Sequence, residues 1–552
     1  MAPTEQLEIE TKYDVDESAI LPALHELPGV ASVAQPVTLD LEATYYDTAE
    51  LDLAANKVTL RRRTGGEDDG WHVKFPGTSG GRLEVRHPLD ESAGDAPTDE
   101  RPADKARRDE EPVDEVSTDE VPAGEVPAGE VSTEGVSADE APTDGVPAGE
   151  VPVEVVGTVR VLVRDRALEP VVTLRTRRVV HRLLDADGGV LAEFADDRVT
   201  ATVTGGEPES WREWEVELVD GDNALLEDAG ELLLGVGARP ASGPSKLARA
   251  LGDRVPSYAE WTLPNKPLTS DLFRAYAGAQ VNAIRERDPE VRRDVPDSIH
   301  KFRVATRRLR SALATYRPVI DCAAGDEIRA ELKWLAGELG AARDAEVQRE
   351  HFAAEVAEQP VELVIGRVAG RIDDHLRGVY QEGRAAALAA LESERYFRLL
   401  DALDELIARP PVTTDDHKAK KQIRELLHHD YRRMRKAVRR SESAPAIADQ
   451  DHELHEVRKA AKRLRYAAES AVPVLAEDAA TLAARAEEIQ EVLGEHQDSV
   501  VSRDLLHHLS LQVFADGGNT FTYGRLHAAE ESRATTSRTA FYNLWPTLNF
   551  HL

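Results

Sequence analysis

The sequence predicts an α+β protein in which a β-rich region over residues 1–252 precedes an all-helical region over residues 269–510. In the first region, charged and apolar residues alternate in short segments, which is the period of β-strands. In the second, long amphipathic segments rich in Arg, Ala, Leu and Glu alternate with short breaks, a pattern typical of helices. Residues 253–268 contain three prolines and are predicted to be a linker.

Composition excludes several classes of protein. The 552-residue chain has a net charge of −34, which argues against general adhesion to DNA or to anionic membranes. Its single cysteine, Cys322, excludes an intrachain disulfide and is typical of a reducing compartment. The sequence shows no signal-peptide pattern and no apolar run approaching about 18 residues. We therefore expect a cytoplasmic protein without a membrane span.

A low-complexity segment over residues 95–150 is built from Pro, Gly, Glu, Ala and Val. Residues 91–154 contain 20 Asp or Glu residues against 4 Lys or Arg residues. A segment with so few large apolar side chains cannot bury enough surface to fold, so we predict that it is disordered. Because a β pattern flanks it on both sides, we interpret it as an acidic insertion within the first domain.

Seven predicted strands of the first domain carry charge on one face and mostly apolar residues on the other. Along the chain, these charged faces contain Glu8, Glu10 and Lys12; Arg61 and Arg63; His72 and Lys74; Arg82, Glu84 and Arg86; Arg175 and Arg177; Glu193 and Asp197; and Glu213, Glu215 and Glu217. One solvated face of an open sheet would explain two or three such strands. The mixture of basic and acidic strands, with few Thr, Ser or Gln, favours a closed barrel with a charged interior.

The two kinds of charge predict the ligand. Clustered glutamates repel one another unless they bind hard cations such as Mg²⁺ or Mn²⁺. Clustered arginines repel one another unless they bind a polyanion, and phosphate oxygens match the guanidinium group. Both clusters in one interior therefore predict a site for a metal–polyphosphate ligand.

The Glu-x-Glu-x-Lys start (Glu8, Glu10, Lys12) and the alternating basic and acidic strands resemble the CYTH domain of triphosphate tunnel metalloenzymes over residues 5–90 and 153–252. The resemblance implies an eight-stranded antiparallel tunnel that binds triphosphate groups with a divalent metal. It implies a metal side formed by Glu8, Glu10, Glu193, Asp197, Glu215 and Glu217. It implies a phosphate side formed by Lys12, Arg61, Arg63, Lys74, Arg175, Arg177 and Lys246. Glu8, Glu10, Lys12 and Lys74 are the expected catalytic residues, and Glu84 belongs to the acidic set without an assigned metal.

A second motif occurs twice in the helical region, as HKFRVATRRLR (300–310) and HEVRKAAKRLR (455–465). Each copy has a His followed by cations at +3, +7, +8 and +10: His300, Arg303, Arg307, Arg308 and Arg310, then His455, Arg458, Lys462, Arg463 and Arg465. Each is followed at matching distance by Leu-Gly and an Asp, which are Leu339, Gly340 and Asp344, then Leu493, Gly494 and Asp498. The match indicates an internal duplication. Offsets 0, +3, +7 and +10 fall within about 80° on a helix, which predicts two basic stripes that line a shared anion-binding cleft.

The duplicated boxes resemble the CHAD domain over residues 269–510, which implies binding of inorganic polyphosphate along a basic cleft. His300 and His455 are then expected to donate to phosphate because their neighbours are cations. A further basic run at residues 417–440 either extends this surface or is an ordinary solvated helix, and the sequence favours neither. Residues 511–552 contain no motif that we can interpret.

The leading hypothesis is a Mg²⁺- or Mn²⁺-dependent hydrolase that acts on inorganic triphosphate or on polyphosphate ends, in the cytoplasm and in association with polyphosphate granules. A nucleoside or thiamine triphosphatase and an adenylyl cyclase are alternatives within the enzyme class. The second hypothesis is a non-catalytic polyphosphate-binding protein. The absence of a GxxxxGK[ST] loop and of HExxH spacing argues against a Walker-type nucleotide site and a zinc protease. An interaction scaffold would leave both charge patterns unexplained.

Overall fold

The structure is a computed structural model that describes residues 4–66, 68–77, 81–89, 150–256 and 261–548. The predicted acidic insertion lies outside these residues except for residue 150. The strands are β1 (Thr4–Glu8), β2 (Glu10–Val15), β3 (Ser32–Val33), β4 (Val37–Asp47), β5 (Thr59–Thr64), β6 (Gly70–Pro76), β7 (Arg82–Pro88), β8 (Glu169–Leu184), β9 (Val190–Val203), β10 (Pro208–Leu218) and β11 (Arg239–Pro240).

The strands form one antiparallel sheet that curls until its ends meet. Strands β7, β6, β5, β4, β8, β9 and β10 follow one another across the sheet. Strand β1 pairs with β7 and strand β2 pairs with β10. Because β1 and β2 are two parts of one N-terminal segment separated by Ile9, this segment joins the two ends of the sheet. The predicted antiparallel barrel is confirmed.

The strand count differs from the expected eight. Within the described residues, ten strands follow one another along the sheet and β3 pairs off this path. The break at Ile9 divides the N-terminal segment into two strands, and β3 and β11 each have only two residues. Interruption of one strand and addition of short edge strands account for the difference.

A short helix closes the barrel interior on one side. The hydroxyl of Ser245 accepts a hydrogen bond from the Ala248 amide at 3.1 Å, so α4 begins at Lys246. Leu247 and Leu251 of this helix are buried in an apolar cluster with inward side chains of β4, β8, β9 and β10. This cluster fills one part of the interior and leaves the charged part open.

The described helices are α1 (Asp52–Ala55), α2 (Val153–Val163), α3 (Asn223–Gly235), α4 (Lys246–Leu251), α5 (Thr269–Arg292), α6 (Ser298–Thr315), α7 (Cys322–Glu338), α8 (Gly340–Ala357), α9 (Val368–Leu391), α10 (Glu394–Ala408), α11 (Ala419–Glu442), α12 (Ile447–Leu475), α13 (Glu477–Ala515) and α14 (Phe521–Leu544). The last ten form the helical region, which confirms the predicted architecture. The two boxes lie on α6 and α12. Helices α13 and α14 pack against each other, and Phe541 of α14 belongs to the main core, so this region extends past residue 510.

None of the described helices combines the length and apolarity that a bilayer span requires.

Helix α2 connects the two regions. Val155, Val159 and Val163 recur at helical spacing and pack on the outside of the barrel, whereas Val161 belongs to the core of the helical region. At the end of the helix, the guanidinium of Arg164 binds carboxylates of α10. The barrel and the helical region are therefore joined by apolar packing and by ion pairs.

Candidate functional site

A cavity of about 590 Å³ occupies the open part of the barrel. It brings together most of the charged side chains that the strand pattern predicted. The charged residues that line it are Glu8, Glu10, Lys12, Arg61, Arg63, Asp68, Lys74, Arg82, Arg86, Arg178, Arg182, Glu193, Glu215, Glu217 and Lys246. Asp197 is fully buried beside the cavity and is not part of its lining.

The structure corrects the prediction for Arg175 and Arg177, which do not line the cavity. Arg175 is exposed on the outside of β8, where its Nε donates to Glu42 at 2.9 Å, and Arg177 is also exposed. The inward basic residues of this strand are Arg178 and Arg182.

The error is one of register. Strand β8 contains three arginines within residues 175–178, so alternation alone permits either phase, and a shift of one residue reverses the two faces. The turn after β8 resolves this ambiguity, because it places Arg182 opposite Glu193 and Arg178 opposite Asp197 on β9. Matching opposite charges across this hairpin is the sequence signal that would have identified the inward arginines.

Three glutamates form a row across the acidic wall. Glu217 on β10 lies opposite Glu10 on β2 and opposite Glu193 on β9. Like charges in directly opposed positions are destabilising unless a cation lies between them. The neighbouring Glu8 adds to this wall: burial and the charges of Glu8 and Glu10 raise the pKa of Glu217 to about 7. Burial also raises the pKa of Glu8, despite its contact with Lys74.

This donor set fits a hard divalent cation. Every donor is a carboxylate oxygen, the ligand type that Mg²⁺ and Mn²⁺ take in proteins. Glu8, Glu10 and Glu217 would hold such an ion, and Glu193, which binds Arg182 at 2.8 Å, lies next to them. Four of the six predicted metal positions therefore lie together on this wall, with Lys12 paired to Glu10 at 2.7 Å, and their role as metal ligands stays a prediction.

The next layer of the barrel is neutralised by side chains of the chain itself. The ammonium of Lys246 lies 2.9 Å from Asp197, 2.6 Å from Glu213 and 2.6 Å from Glu215. Burial opposes its charge, but these carboxylates outweigh burial and raise the pKa of Lys246. Arg178 donates two further hydrogen bonds to Asp197, at 2.8 and 2.6 Å. Asp197 was predicted as a metal ligand, but in the structure its cationic partners are lysine and arginine.

Glu84 contacts several basic side chains of the cavity from its buried position on β7. Its side chain is fully buried and contacts His72 at 3.0 Å, Lys74 at 3.4 Å and Arg61 at 3.5 Å. Burial opposes its ionisation, but the hydrogen bond from His72 and the charges of Lys74 and Arg61 lower the pKa of Glu84. The acidic residue without an assigned metal therefore positions the cations.

Arg61 and Arg63 lie across the barrel from the acidic wall, whereas Lys74 contacts Glu8 and Lys12 pairs with Glu10 at 2.7 Å. Arg61 and Arg63 are on β5, which is four strands away from β10 around the closed sheet, and Lys74 is on the adjacent β6. Burial, with the charges of Arg61 and Arg178, lowers the pKa of Arg63 to about 10. The cavity thus has a carboxylate wall that favours a metal ion and an opposite wall that favours an anion.

In the helical region, the two boxes converge. Lys462 of the second box is close enough to Arg303 and Arg307 of the first for their charges to affect it. Burial and the charges of Arg307 and Arg458 lower the pKa of Lys462 to about 7. Within the part of the chain that the structure describes, Arg307, Arg310, Arg458 and Lys462 have no carboxylate within the 4.0 Å of an ion pair. These cations lie close together where the two boxes meet, and this surface is called the basic cleft below.

Two further box residues, Arg303 and His455, have hydrogen-bonding partners. Arg303 binds Asp344 at 3.0 Å, and His455 contacts the Gln497 amide oxygen at 2.7 Å. His300 lies near Arg303, Arg307 and Arg343, and burial with the charge of Arg343 lowers its pKa.

The +8 position of each box braces the other half of the duplication. Arg308 on α6 reaches Glu469 on α12 at 3.3 Å, and Arg463 on α12 donates to the Ala314 carbonyl of α6 at 2.8 Å. At +10 of the second box, Arg465 binds Glu469 at 2.9 Å. These three arginines were predicted to bind polyphosphate, but in the structure Arg308 and Arg463 connect α6 with α12, and Arg465 forms an ion pair within α12.

The inward placement of Arg178 predicts a difference between two arginines of one strand. Replacing Arg178 with Ala leaves Asp197 and Glu215 short of a buried partner, and we expect the barrel to lose about 3–5 kcal/mol of unfolding free energy. Arg175→Ala removes only an exposed ion pair and should cost less than about 1 kcal/mol. Hydrogen exchange of the β8 and β9 amides measures both, and equal losses would contradict the assigned register.

Comparisons with known proteins identify the two regions. The CYTH domain model matches residues 6–249 and the CHAD domain model matches residues 275–507. The uncharacterized protein Rv2226 of Mycobacterium tuberculosis is 37% identical over 556 residues, which cover 97% of this chain and 95% of that protein. The CHAD domain of the plant Ricinus communis is 26% identical, with a TM-score of 0.42 over 52% of this chain and 96% of its own. PptA from Streptomyces chartreusis is 20% identical, with a TM-score of 0.42 over 50% of this chain and 99% of its own.

CYTH domains are metal-dependent and typically act as triphosphatases or cyclases. The order of the two domains and the similarity to the mycobacterial protein over 97% of this chain agree with the fold described above. This chain therefore belongs to the family of proteins in which a CYTH domain is followed by a CHAD domain.

Proposed function

We propose that the tunnel domain hydrolyses triphosphate groups with Mg²⁺ or Mn²⁺ and that the helical domain binds inorganic polyphosphate. The observation that carries this proposal is the row formed by Glu10, Glu217 and Glu193 across the cavity from Arg61 and Arg63. A metal–phosphate complex complements both walls at once. On this proposal, the protein works in the cytoplasm at polyphosphate granules.

Each wall has a defined part in the reaction. Arg61, Arg63 and Lys74 would bind phosphate oxygens and stabilise the charge that develops during transfer. Glu84 keeps Arg61 and Lys74 aligned before substrate arrives, which lowers the cost of ordering them. A divalent cation held by Glu8, Glu10 and Glu217 would neutralise phosphate charge and lower the pKa of a bound water.

The shape of the interior favours an end of a chain over its middle. Leu247 and Leu251 of α4 fill the inner part of the barrel together with Leu174 and Trp211. A long polymer therefore cannot thread through, whereas inorganic triphosphate or a polyphosphate terminus can enter from the open side. A cavity of about 590 Å³ also has room for a larger substrate. The experiment below therefore includes nucleoside and thiamine triphosphates as substrates and measures adenylyl cyclase activity.

Phosphate release from inorganic triphosphate, ATP, thiamine triphosphate and long-chain polyphosphate, with Mg²⁺, Mn²⁺ or EDTA, tests the proposal. We expect metal-dependent release, fastest from inorganic triphosphate, because the walls contact only the phosphates. Cyclic AMP formation from ATP would assign a cyclase instead. Retention of polyphosphate without turnover of any substrate would leave a non-catalytic binding protein.

The acidic wall predicts a variant that separates the two activities. Glu8→Gln with Glu10→Gln removes two carboxylates but keeps their shape, and we expect triphosphate turnover to fall at least about 10–100-fold. Polyphosphate retention should not change, because the basic cleft is in the other domain. Glu42→Gln, on the outside of the barrel, is the matched control. Unchanged turnover in the double variant would exclude this wall from catalysis.

The cleft predicts a pH dependence. Arg303, Arg307, Arg458 and Asp498 surround Lys462, whose pKa is lowered to about 7 in the free protein. A polyanion binds the protonated form and raises this pKa, so binding takes up a proton between pH 7 and the ordinary lysine range. Affinity for polyphosphate should therefore fall as pH rises from about 7 to 9, by up to about tenfold per unit.

Calorimetry of polyphosphate binding in buffers of different ionisation enthalpy measures this proton uptake. Lys462→Arg keeps its charge over the whole interval and should flatten the dependence. Lys459→Arg, an exposed neighbour paired with Glu456, should leave the dependence as in the wild type. The same slope in wild type and Lys462→Arg would rule out Lys462 as the titrating group.

A further inference from the structure

Helix α11, outside both boxes, has a basic face that the cleft does not use. Its apolar side is buried in the main core through Ile423, Leu427, Met434 and Val438. The exposed side carries a set of cations: Lys420, Lys421, Arg432, Arg433, Arg435, Lys436 and Arg439. Lys421, Arg432, Arg435, Lys436 and Arg439 fall within about 100° of one another around the helix and span about 27 Å along it. The exposed Glu425 lies in the same sector between Lys421 and Arg432, so the uninterrupted basic part of the face is the one from Arg432 to Arg439.

These cations lack the partners that other surface arginines of the chain have. Among the described residues, none of the seven forms an ion pair, and the ion pairs of α11 with surface carboxylates are Arg424 with Asp478 and Arg440 with Glu453. By contrast, Arg398 binds Glu394 and Arg409 binds Glu405 on the adjacent α10. In a chain with 102 acidic residues against 68 basic residues, an exposed face without carboxylate partners is unexpected.

The unpaired face costs stability in the free protein. Arg432, Arg435, Lys436 and Arg439 occupy positions three and four residues apart, where like charges repel by about 0.2–0.5 kcal/mol per pair. Packing of the buried side of the helix offsets this cost in stability. Folding does not require cations at the exposed positions, since acidic residues there would form favourable pairs. A bound polyanion would turn the repulsion into attraction.

We propose that the exposed face of α11 is a second track for inorganic polyphosphate, which makes the helical domain select long chains. The proposal rests on the polyphosphate binding proposed above. Helix α11 packs against both box helices, α6 and α12, and Asp430 on its buried side binds Arg463 of the second box. One long chain can therefore follow α11 while another part of it occupies the cleft, and the two contacts raise the affinity together.

The face fits a thin linear polyanion better than a nucleic acid. The α11 face offers no exposed aromatic side chain on which bases could stack, because Tyr431 is half-buried and stacks on Trp545. The basic surface is one helix wide, so a broad duplex would find few further cations on α11 to neutralise its phosphates. A single polyphosphate chain can stay on the stripe.

The test compares long-chain with short-chain polyphosphate binding to the full-length protein. The variant replaces Arg432, Arg435, Lys436 and Arg439 with Gln. The matched control replaces Arg367, Arg371, Arg398 and Arg409 with Gln, which removes the same charge from exposed arginines that are ion-paired. We expect the α11 variant to lose at least about tenfold in affinity for long chains and to weaken the salt dependence of binding, with short-chain binding and the control unchanged.

Several outcomes would overturn the proposal. Equal long-chain affinity of wild type and α11 variant, with short chains still bound, would remove the second track and leave the cleft. Equal losses for short and long chains would mean that α11 belongs to the cleft site itself. A loss of RNA binding without loss of polyphosphate binding would assign the face to nucleic acid. Failure of the wild type to bind any polyphosphate would instead contradict the function proposed for the domain.

Because glutamine at these positions removes repulsion, the α11 variant is expected to unfold at the same temperature as the wild type or a higher one. A variant that is less stable would be replaced by Arg432→Gln with Arg435→Gln alone, for which a smaller loss of long-chain affinity is expected. The ratio of long-chain to short-chain affinity decides the outcome in either case.

Discussion

The barrel can bury charged side chains only where opposite charges meet, and this constraint organises the tunnel domain. Moving an ion from water into a protein interior costs several kcal/mol, which attraction to a close partner must offset. Lys246 among Asp197, Glu213 and Glu215 satisfies this condition within the chain, as does Glu84 beneath Lys74 and Arg61. In the row of Glu10, Glu217 and Glu193, Lys12 pairs with Glu10 at 2.7 Å and Arg182 pairs with Glu193 at 2.8 Å, whereas Glu217 has no cation within ion-pair distance among the described residues.

In the helical domain, charges of the same sign lie together, and other charged residues hold the helices in place around them. Duplicating one box placed two basic stripes face to face, so that Arg307, Arg458 and Lys462 lie together without carboxylate partners among the described residues. The cleft remains intact because other arginines of the boxes act as braces: Arg308 and Arg463 cross between α6 and α12. In both domains, part of the charge forms ion pairs that stabilise the fold, and the proposed function assigns the rest to a ligand.

Much of the site could be predicted from the sequence because it depends on local periodicity. Alternation along β2, β5, β6 and β10 correctly placed Lys12, Arg61, Lys74 and Glu215 in the interior. Alternation was insufficient on β8, where neighbouring arginines fit either phase and only pairing with β9 places Arg178 inside. Helical spacing identified both boxes but could not distinguish Arg307, which has no ion pair among the described residues, from Arg308, because partners such as Glu469 are distant in sequence.

The sequence by itself determined the two-domain architecture, the charged interior and the duplicated basic boxes, since each follows from residue types repeated at the period of a strand or a helix. Only the tertiary structure decided which of these charges are neutralised. Closure of the sheet placed Glu10 opposite Glu217, and helix α4 brought Lys246 to Asp197. Packing of α6 on α12 decided which arginines of the boxes contact the other helix and which have no ion pair among the described residues. The physical reason is that a charge is stabilised by atoms within a few ångströms, and folding brings those atoms from distant parts of the chain.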